Sequence, residues 1–147
     1  MRDRFLRFTT LLTGIMRNIR RITSETVARY DVKRSYVSSL YFLYTSGPLT
    51  AARLCNLCRE DKANVSRTLR ALEEDGLVKR EERPSARSRV RMMLTERGME
   101  IGAFLAGRIS EAVELATGGI DPSEIAVMYS VLERIDKNLE DSCAELN

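Results

Sequence analysis

Between Asp61 and Asp75 the chain carries apolar and basic residues at spacings that only a helix can sort onto two sides. At roughly 100° per residue, Leu69 and Leu72 fall within about one sector of Val65, while Ala63, Arg67, Arg70 and Glu74 fall opposite. Such a helix buries one side and presents two arginines on the other, a shape suited to something negative. Asp61 is an N-cap residue and Gly76 a C′ glycine, so both ends are marked. The acidic end, Glu73, Glu74 and Asp75, is expected to stay outside any groove, leaving Lys62 to Arg70 as the reading surface.

The neighbouring segments define what this helix sits in. Residues 4–29 place Phe5, Phe8, Leu12, Ile15, Ile19 and Ile22 at steps of three and four, an amphipathic helix with Arg7, Arg17, Arg20 and Arg21 on its other face. Its stripe needs a long helix or a second subunit to cover it. A second helix is expected over 33–46, stopped by Ser46-Gly47-Pro48. Leu49 begins a very short strand, and Thr50 caps a helix over 51–58. Leu77 to Glu82 reads as a strand, residues 83–88 as a turn, and Val90, Met92 and Leu94 as the inward positions of a returning strand. Thr95 caps a helix running towards Thr117. Asp121-Pro122-Ser123-Glu124 starts the last helix, whose Ile125, Met128, Leu132, Ile135 and Leu139 form a coiled-coil-like seam.

Charge is distributed unevenly. Residues 1–47 carry nine Lys/Arg against three Asp/Glu, residues 48–98 twelve against eight, and residues 99–147 three against ten. A basic first two-thirds suits a polyanion, and the acidic tail suits being held off it. The basic and acidic terminal segments both bear apolar seams, so they are expected to pack together in a dimer domain with complementary rim charge. No apolar run reaches membrane-spanning length, and the arginine-broken N-terminus lacks a signal-peptide pattern, which suggests a cytoplasmic protein.

The 147-residue chain has no histidine, which removes the commonest general base and metal ligand. Cys55 and Cys58 form a CxxC, but no second pair completes a zinc site, and both fill apolar helix positions beside Leu54 and Leu57. With no Gly-rich phosphate loop or nucleophile elbow either, an enzyme, a metal and a cofactor are all unexpected.

Helix, turn, helix and a basic-tipped ribbon make a winged helix-turn-helix. The fold class is therefore mainly α with a small two- or three-stranded β-wing and a helical dimerisation region. The candidate DNA contacts are Thr50 and Arg53, then Lys62, Ala63, Asn64, Ser66, Arg67 and Arg70 on the reading helix, and Arg87 and Arg89 on the ribbon. The plainer reading pairs Arg70 with Glu73 or Glu74. It also makes Arg83, Arg87, Arg89 and Arg91 an aggregation-resistant edge, although four arginines in nine residues favour nucleic acid.

The run Leu49-Thr50, Asp61 to Arg67, Leu72 to Val78 and Leu94-Thr95-Glu96-Arg97-Gly98 resembles the MarR family of transcriptional regulators. The resemblance is close over about fifty residues, and the flanking helix order is similar. It implies a homodimer on a pseudo-palindromic duplex operator, acting as a repressor released by a small, often aromatic ligand or by thiol oxidation. It divides the chain into 1–30 plus 99–147, for dimerisation, and 31–98, the DNA-binding lobe. Phe5, Phe8, Leu12, Ile15, Ile125, Met128, Leu132 and Ile135 then become the dimer interface. An effector pocket is expected where lobe and dimer helices meet, with Met16, Arg17, Tyr36, Tyr41 and Tyr44 as candidates, although core or hinge packing is the preferred reading of the tyrosines. Three departures stand out: Ala86 replaces the aspartate that usually precedes the wing arginine, Arg59 replaces an inter-helix glycine, and the first helix lacks the cysteine of the peroxide-sensing branch. The competing readings are a winged-helix module that binds protein, and a regulator switched through Cys55 and Cys58.

Overall fold

A computed structural model describes residues 2–82 and 89–144. In chain order these form α1 (Arg2–Tyr30), a 3-10 turn (Arg34–Tyr36), α2 (Val37–Ser46), β1 (Leu49–Thr50), α3 (Ala51–Cys58), α4 (Lys62–Glu74), β2 (Val78–Arg80), β3 (Arg91–Leu94), α5 (Glu96–Thr117) and α6 (Pro122–Ala144). The protein is mainly helical with one small antiparallel sheet in the order β1-β3-β2. It divides into two compact units, residues 1–112 and 113–147. The boundary falls inside α5, because Ile101 and Leu105 on the first half of that helix are fully buried in the core of the first unit.

That core is assembled from short elements that each bury one face. Leu40 and Leu43 come from α2, Leu54 from α3, and Val65, Leu69 and Leu72 from α4. Val78, Met92 and Leu94 add the inner face of the sheet. The register pairs Leu49 with Met92 and Val78 with Leu94, so the alternation of the two outer strands is in phase with β3. The end of α1 joins through Tyr30, whose ring meets Phe104 of α5 edge-on at 5.5 Å, with the Arg29 guanidinium 4.5 Å from the Phe104 ring centre. One turn earlier Glu25 lies 2.9 Å from Arg108 Nε, an ion pair whose angle does not make a hydrogen bond.

Helix ends follow the local chemistry. Thr50 Oγ1 accepts the Arg53 amide at 3.2 Å, and Asp61 Oδ1 accepts the Asn64 amide at 2.9 Å. α4 closes in a Schellman motif: the Gly76 amide bonds Glu73 O at 3.1 Å and the Leu77 amide bonds Leu72 O at 2.9 Å, with Gly76 at φ 69°. This takes Leu77 away from the expected strand over 77–82, so β2 spans only Val78–Arg80, while the Glu81 amide still reaches Arg91 O at 2.8 Å. The expected helix over 33–46 starts later. The Tyr36 amide bonds Lys33 O at 2.9 Å, which tightens that stretch into a 3-10 turn before α2 begins at Val37. Between α3 and α4, Arg59 itself takes the left-handed conformation, φ 55°, that a glycine would adopt there without strain.

In the second unit, α6 starts with a capping box. Asp121 Oδ1 accepts the Ser123 amide at 2.8 Å, and Glu124 Oε2 accepts the Asp121 amide at 3.4 Å. Val127, Met128, Tyr129, Val131, Leu132 and Leu139 are exposed along it.

Candidate nucleic-acid interface

α4 has the two faces its sequence implies. Val65, Thr68, Leu69 and Leu72 are buried, whereas Lys62, Ala63, Ser66, Arg67 and Arg70 are exposed. From Lys62 to Leu72 there are three cations and no acid. Of the acids that follow, Glu73 and Asp75 are committed elsewhere. Glu73 Oε1 pairs with Arg80 Nε at 3.2 Å rather than with Arg70, and among the described residues neither Arg67 nor Arg70 sits in an ion pair. An unpaired guanidinium on a rigid helix is free to meet a phosphate or a base edge without first breaking an internal bond.

Asn64 is half-buried, and its side-chain amide donates to Glu60 Oε2 at 2.6 Å. Glu60 therefore belongs to the site although sequence pattern did not single it out. It precedes the helix cap, and only the left-handed turn at Arg59 brings its carboxylate back beside the first turn of α4. Arg53 is exposed on α3, while Thr50 is occupied as that helix's cap.

The ribbon is built by β2 and β3. Arg89 is exposed at the approach to β3. Arg91 is bound fork to fork by Glu81, Nε to Oε2 at 2.5 Å and Nη2 to Oε1 at 2.8 Å, so it braces the ribbon. Arg87, and with it Ala86, lies outside the described residues.

Two motifs that looked separate in the sequence meet behind α4. Thr95 Oγ1 donates to Gly76 O at 2.7 Å and accepts the Gly98 amide at 3.2 Å, and the Thr95 amide bonds Leu77 O at 3.0 Å. Gly98 sits so close to Leu77 that a Cβ there would lie 2.0 Å from its carbonyl oxygen. The Leu-Thr-Glu-Arg-Gly run is thus the joint that seats the start of α5 on the end of α4.

The five pocket candidates differ in their surroundings. Tyr36 is the largest fully buried side chain among the described residues. Tyr41 meets Phe42 edge-on at 5.4 Å. The Tyr44 Cβ backs onto Gly102, 2.8 Å from where a Cβ would stand. Met16 is exposed on α1, and the surface depression that includes Arg17 is walled by Thr9, Thr10, Thr13 and Gly14 of the same helix, with no tyrosine. Of the interface candidates, Leu12, Ile15, Met128 and Leu132 are exposed and Phe8, Ile125 and Ile135 half-buried; the Phe5 side chain lies outside the described set. Cys55 and Cys58 are unbridged and half-buried, and burial above all raises the Cys58 thiol above its ordinary value, against a hydrogen bond with Ser39.

A capped helix pair with a braced two-stranded ribbon folded against it defines a winged helix-turn-helix protein. Residues 30–88, the span of the winged lobe, match the model of the MarR family. Solved structures similar to it extend over nearly the whole chain. A MarR-family regulator of Neisseria meningitidis superposes with a TM-score of 0.75 at 19% identity, covering 99% of this chain and 97% of the other. The MepR protein of S. aureus in its DNA-binding conformation gives 0.79 at 19% identity, covering 90% and 98%. A MarR-family regulator from Listeria monocytogenes, complexed with a 26mer DNA, gives 0.75 at 17% identity, covering 91% and 89%.

Proposed function

We propose that the protein is a dimeric, sequence-specific, duplex-DNA-binding regulator that acts in the cytoplasm as a repressor and is released by a small ligand. The observation that carries the reading is the outer face of α4: Lys62, Ser66, Arg67 and Arg70 stand exposed on a helix whose opposite face is buried. A helix of about 10–12 Å diameter fits the major groove, and cations with no ion pair among the described residues supply the phosphate and guanine contacts. The DNA-bound state of the Listeria relative supports the same use of the fold. Repression and ligand release rest on the family resemblance, and the exposed seams of α1 and α6 support the dimer.

Switching through the Cys55–Cys58 pair is disfavoured at Cys58, a half-buried thiol whose raised pKa makes it a poor nucleophile.

The test is selection from random duplexes followed by binding across a salt series. The selected duplex should bind with an affinity that falls steeply as salt rises. Arg67→Ala and Arg70→Ala should each weaken it by roughly 1–3 kcal/mol if the side chain meets a base. A protein that retains no duplex at low salt overturns the reading in favour of a protein-binding winged helix.

A further inference from the structure

Lys33, Tyr36 and Asp75 form a contact that neither the helix pattern nor the DNA-facing surface requires. The Tyr36 hydroxyl donates to Asp75 Oδ2 at 2.6 Å and accepts from Lys33 Nζ at 3.0 Å, and Lys33 Nζ lies 3.7 Å from the same carboxylate oxygen. The three residues come from three places: the link leaving α1, the 3-10 turn, and the C-cap that follows α4. Tyr36 as a whole is 1% exposed, so its hydroxyl is held beneath Lys33 and Asp75 on a closely packed ring. Lys33 and Asp75 keep 64% and 48% of their side-chain surface, so each is readily hydrated without the other.

That combination separates geometry from stability. An ion pair this exposed contributes little to folding. Phenylalanine at position 36 would fill the core as well as tyrosine does. A hydroxyl retained at the end of a buried ring, bonded to the residue that ends α4, is therefore placed to orient. The apolar contacts of Val65, Leu69 and Leu72 hold α4 down, but they are non-directional and leave its tilt soft. A hydrogen bond from a fixed ring to one end of the helix removes that freedom.

We propose that Tyr36 is a positioning residue for DNA recognition: its hydroxyl, shared between Lys33 and Asp75, sets the tilt of α4 and ties it to the segment that leaves α1. This rests on the reading of α4 as the DNA-facing helix. The electrostatics agree with a contact formed in the fold. The Tyr36 hydrogen bond, more than the Lys33 charge, holds the Asp75 carboxyl below its usual 3.8, and burial and then the Asp75 bond push the Tyr36 hydroxyl above its usual 10.0.

The full chain and the variants Tyr36→Phe, Asp75→Ala and Asp75→Asn are compared on the duplex selected by the wild type and on an unrelated duplex. Tyr36→Phe and Asp75→Ala should weaken the selected duplex about tenfold, a coupling effect of ordinary size. Their affinity for the unrelated duplex and their salt slope should stay at wild-type values, because no phosphate contact is lost. Asp75→Asn, which keeps an acceptor, should lie near wild type, and the Tyr36→Phe/Asp75→Ala double variant should be no weaker than either single. Unchanged affinity for the selected duplex overturns the proposal, as does a loss shared equally by both duplexes. Amide exchange reports independently of DNA. The amides of Leu72 to Leu77 should exchange faster in Tyr36→Phe while those of α2 and α3 stay unchanged, and equal protection overturns the proposal. A wild type that binds no duplex yet shows the exchange difference would overturn the DNA reading and leave the orienting contact standing.

Discussion

Gly98 and Gly14 are both helical glycines, and the fold sets opposite signs on replacing them. A Cβ at Gly98 would meet the Leu77 carbonyl oxygen at 2.0 Å, and a backbone atom cannot step aside as a side chain can. Gly98→Ala should therefore cost about 3 kcal/mol, at the upper end of overpacking penalties, read as a lower urea midpoint. Gly14 on α1 has nothing within 4 Å of its Cβ position, so Gly14→Ala should stabilise by roughly 0.5–1 kcal/mol through helix propensity alone. The sequence presents both as a glycine in a periodic run. The Leu94 to Gly98 motif was legible as a pattern, but its reason lies in the approach of Leu77, which only the assembled fold supplies. Asp75 was read as one of three acids kept out of a groove, and its partner Tyr36 is 39 positions away. Its titration gives a second test. Because its folded pKa is depressed, its contribution to stability is complete above the ordinary value of 3.8 and is lost as pH falls through the lower folded value. The difference in melting temperature between wild type and Asp75→Asn should be flat from neutral pH down to mild acid and close only below about pH 4.

At the scale of elements, α3 and α4 were the most legible part, because a cap, an apolar face and a stop each left a residue signature. Asp61 and Thr50 cap as their chemistry requires, and the glycine after α4 adopts the left-handed φ that its type suggests. What local pattern missed were the competitions between neighbouring elements: Leu77 serves the Schellman closure of α4 rather than a strand, and Lys33 to Tyr36 wind tighter than a helix. The pair Cys55 and Cys58 shows the same limit. Their CxxC spacing suggests reactivity, but α3 turns both towards partly covered positions while Cys143 is exposed on α6. In the folded protein at neutral pH, a maleimide should therefore modify Cys143 first and Cys58 about a hundredfold more slowly. Full denaturation should bring the three rates together. Comparable rates in the native state, or release of bound duplex by peroxide that a Cys55→Ser/Cys58→Ser variant abolishes, would instead make the pair a redox device.

The whole molecule leaves much apolar surface uncovered for a chain of its size. Leu6, Leu11, Leu12, Ile15, Met16 and Ile19 are exposed on α1, and α6 exposes Val127, Met128, Val131, Leu132 and Leu139. Isolated exposed leucines are ordinary, but continuous seams along two long helices mark surfaces built to be covered. The three-and-four spacing in the sequence marked only part of this surface, Leu12, Ile15 and Ile19 on α1 and Met128, Leu132 and Leu139 on α6. It did not show that residues 1–112 would form one compact unit, because the packing of Ile101 and Leu105 against the lobe core is a long-range matter. If the seams are dimer surface, removing residues 1–10 takes Phe5, Leu6 and Phe8 from the interface without touching the winged core. Each large apolar side chain contributes roughly 1.5–3 kcal/mol when fully buried. Losing even two therefore predicts a dimer dissociation constant raised at least about a hundredfold. Sedimentation velocity over a dilution series reads this directly, with the monomer appearing at concentrations where the full chain is still paired. Helical content should stay close to that of the full chain, and DNA affinity should fall in step with dimer dissociation, because one lobe alone reads half a site. A truncated chain that remains paired at the same dilution would place the interface away from the start of α1.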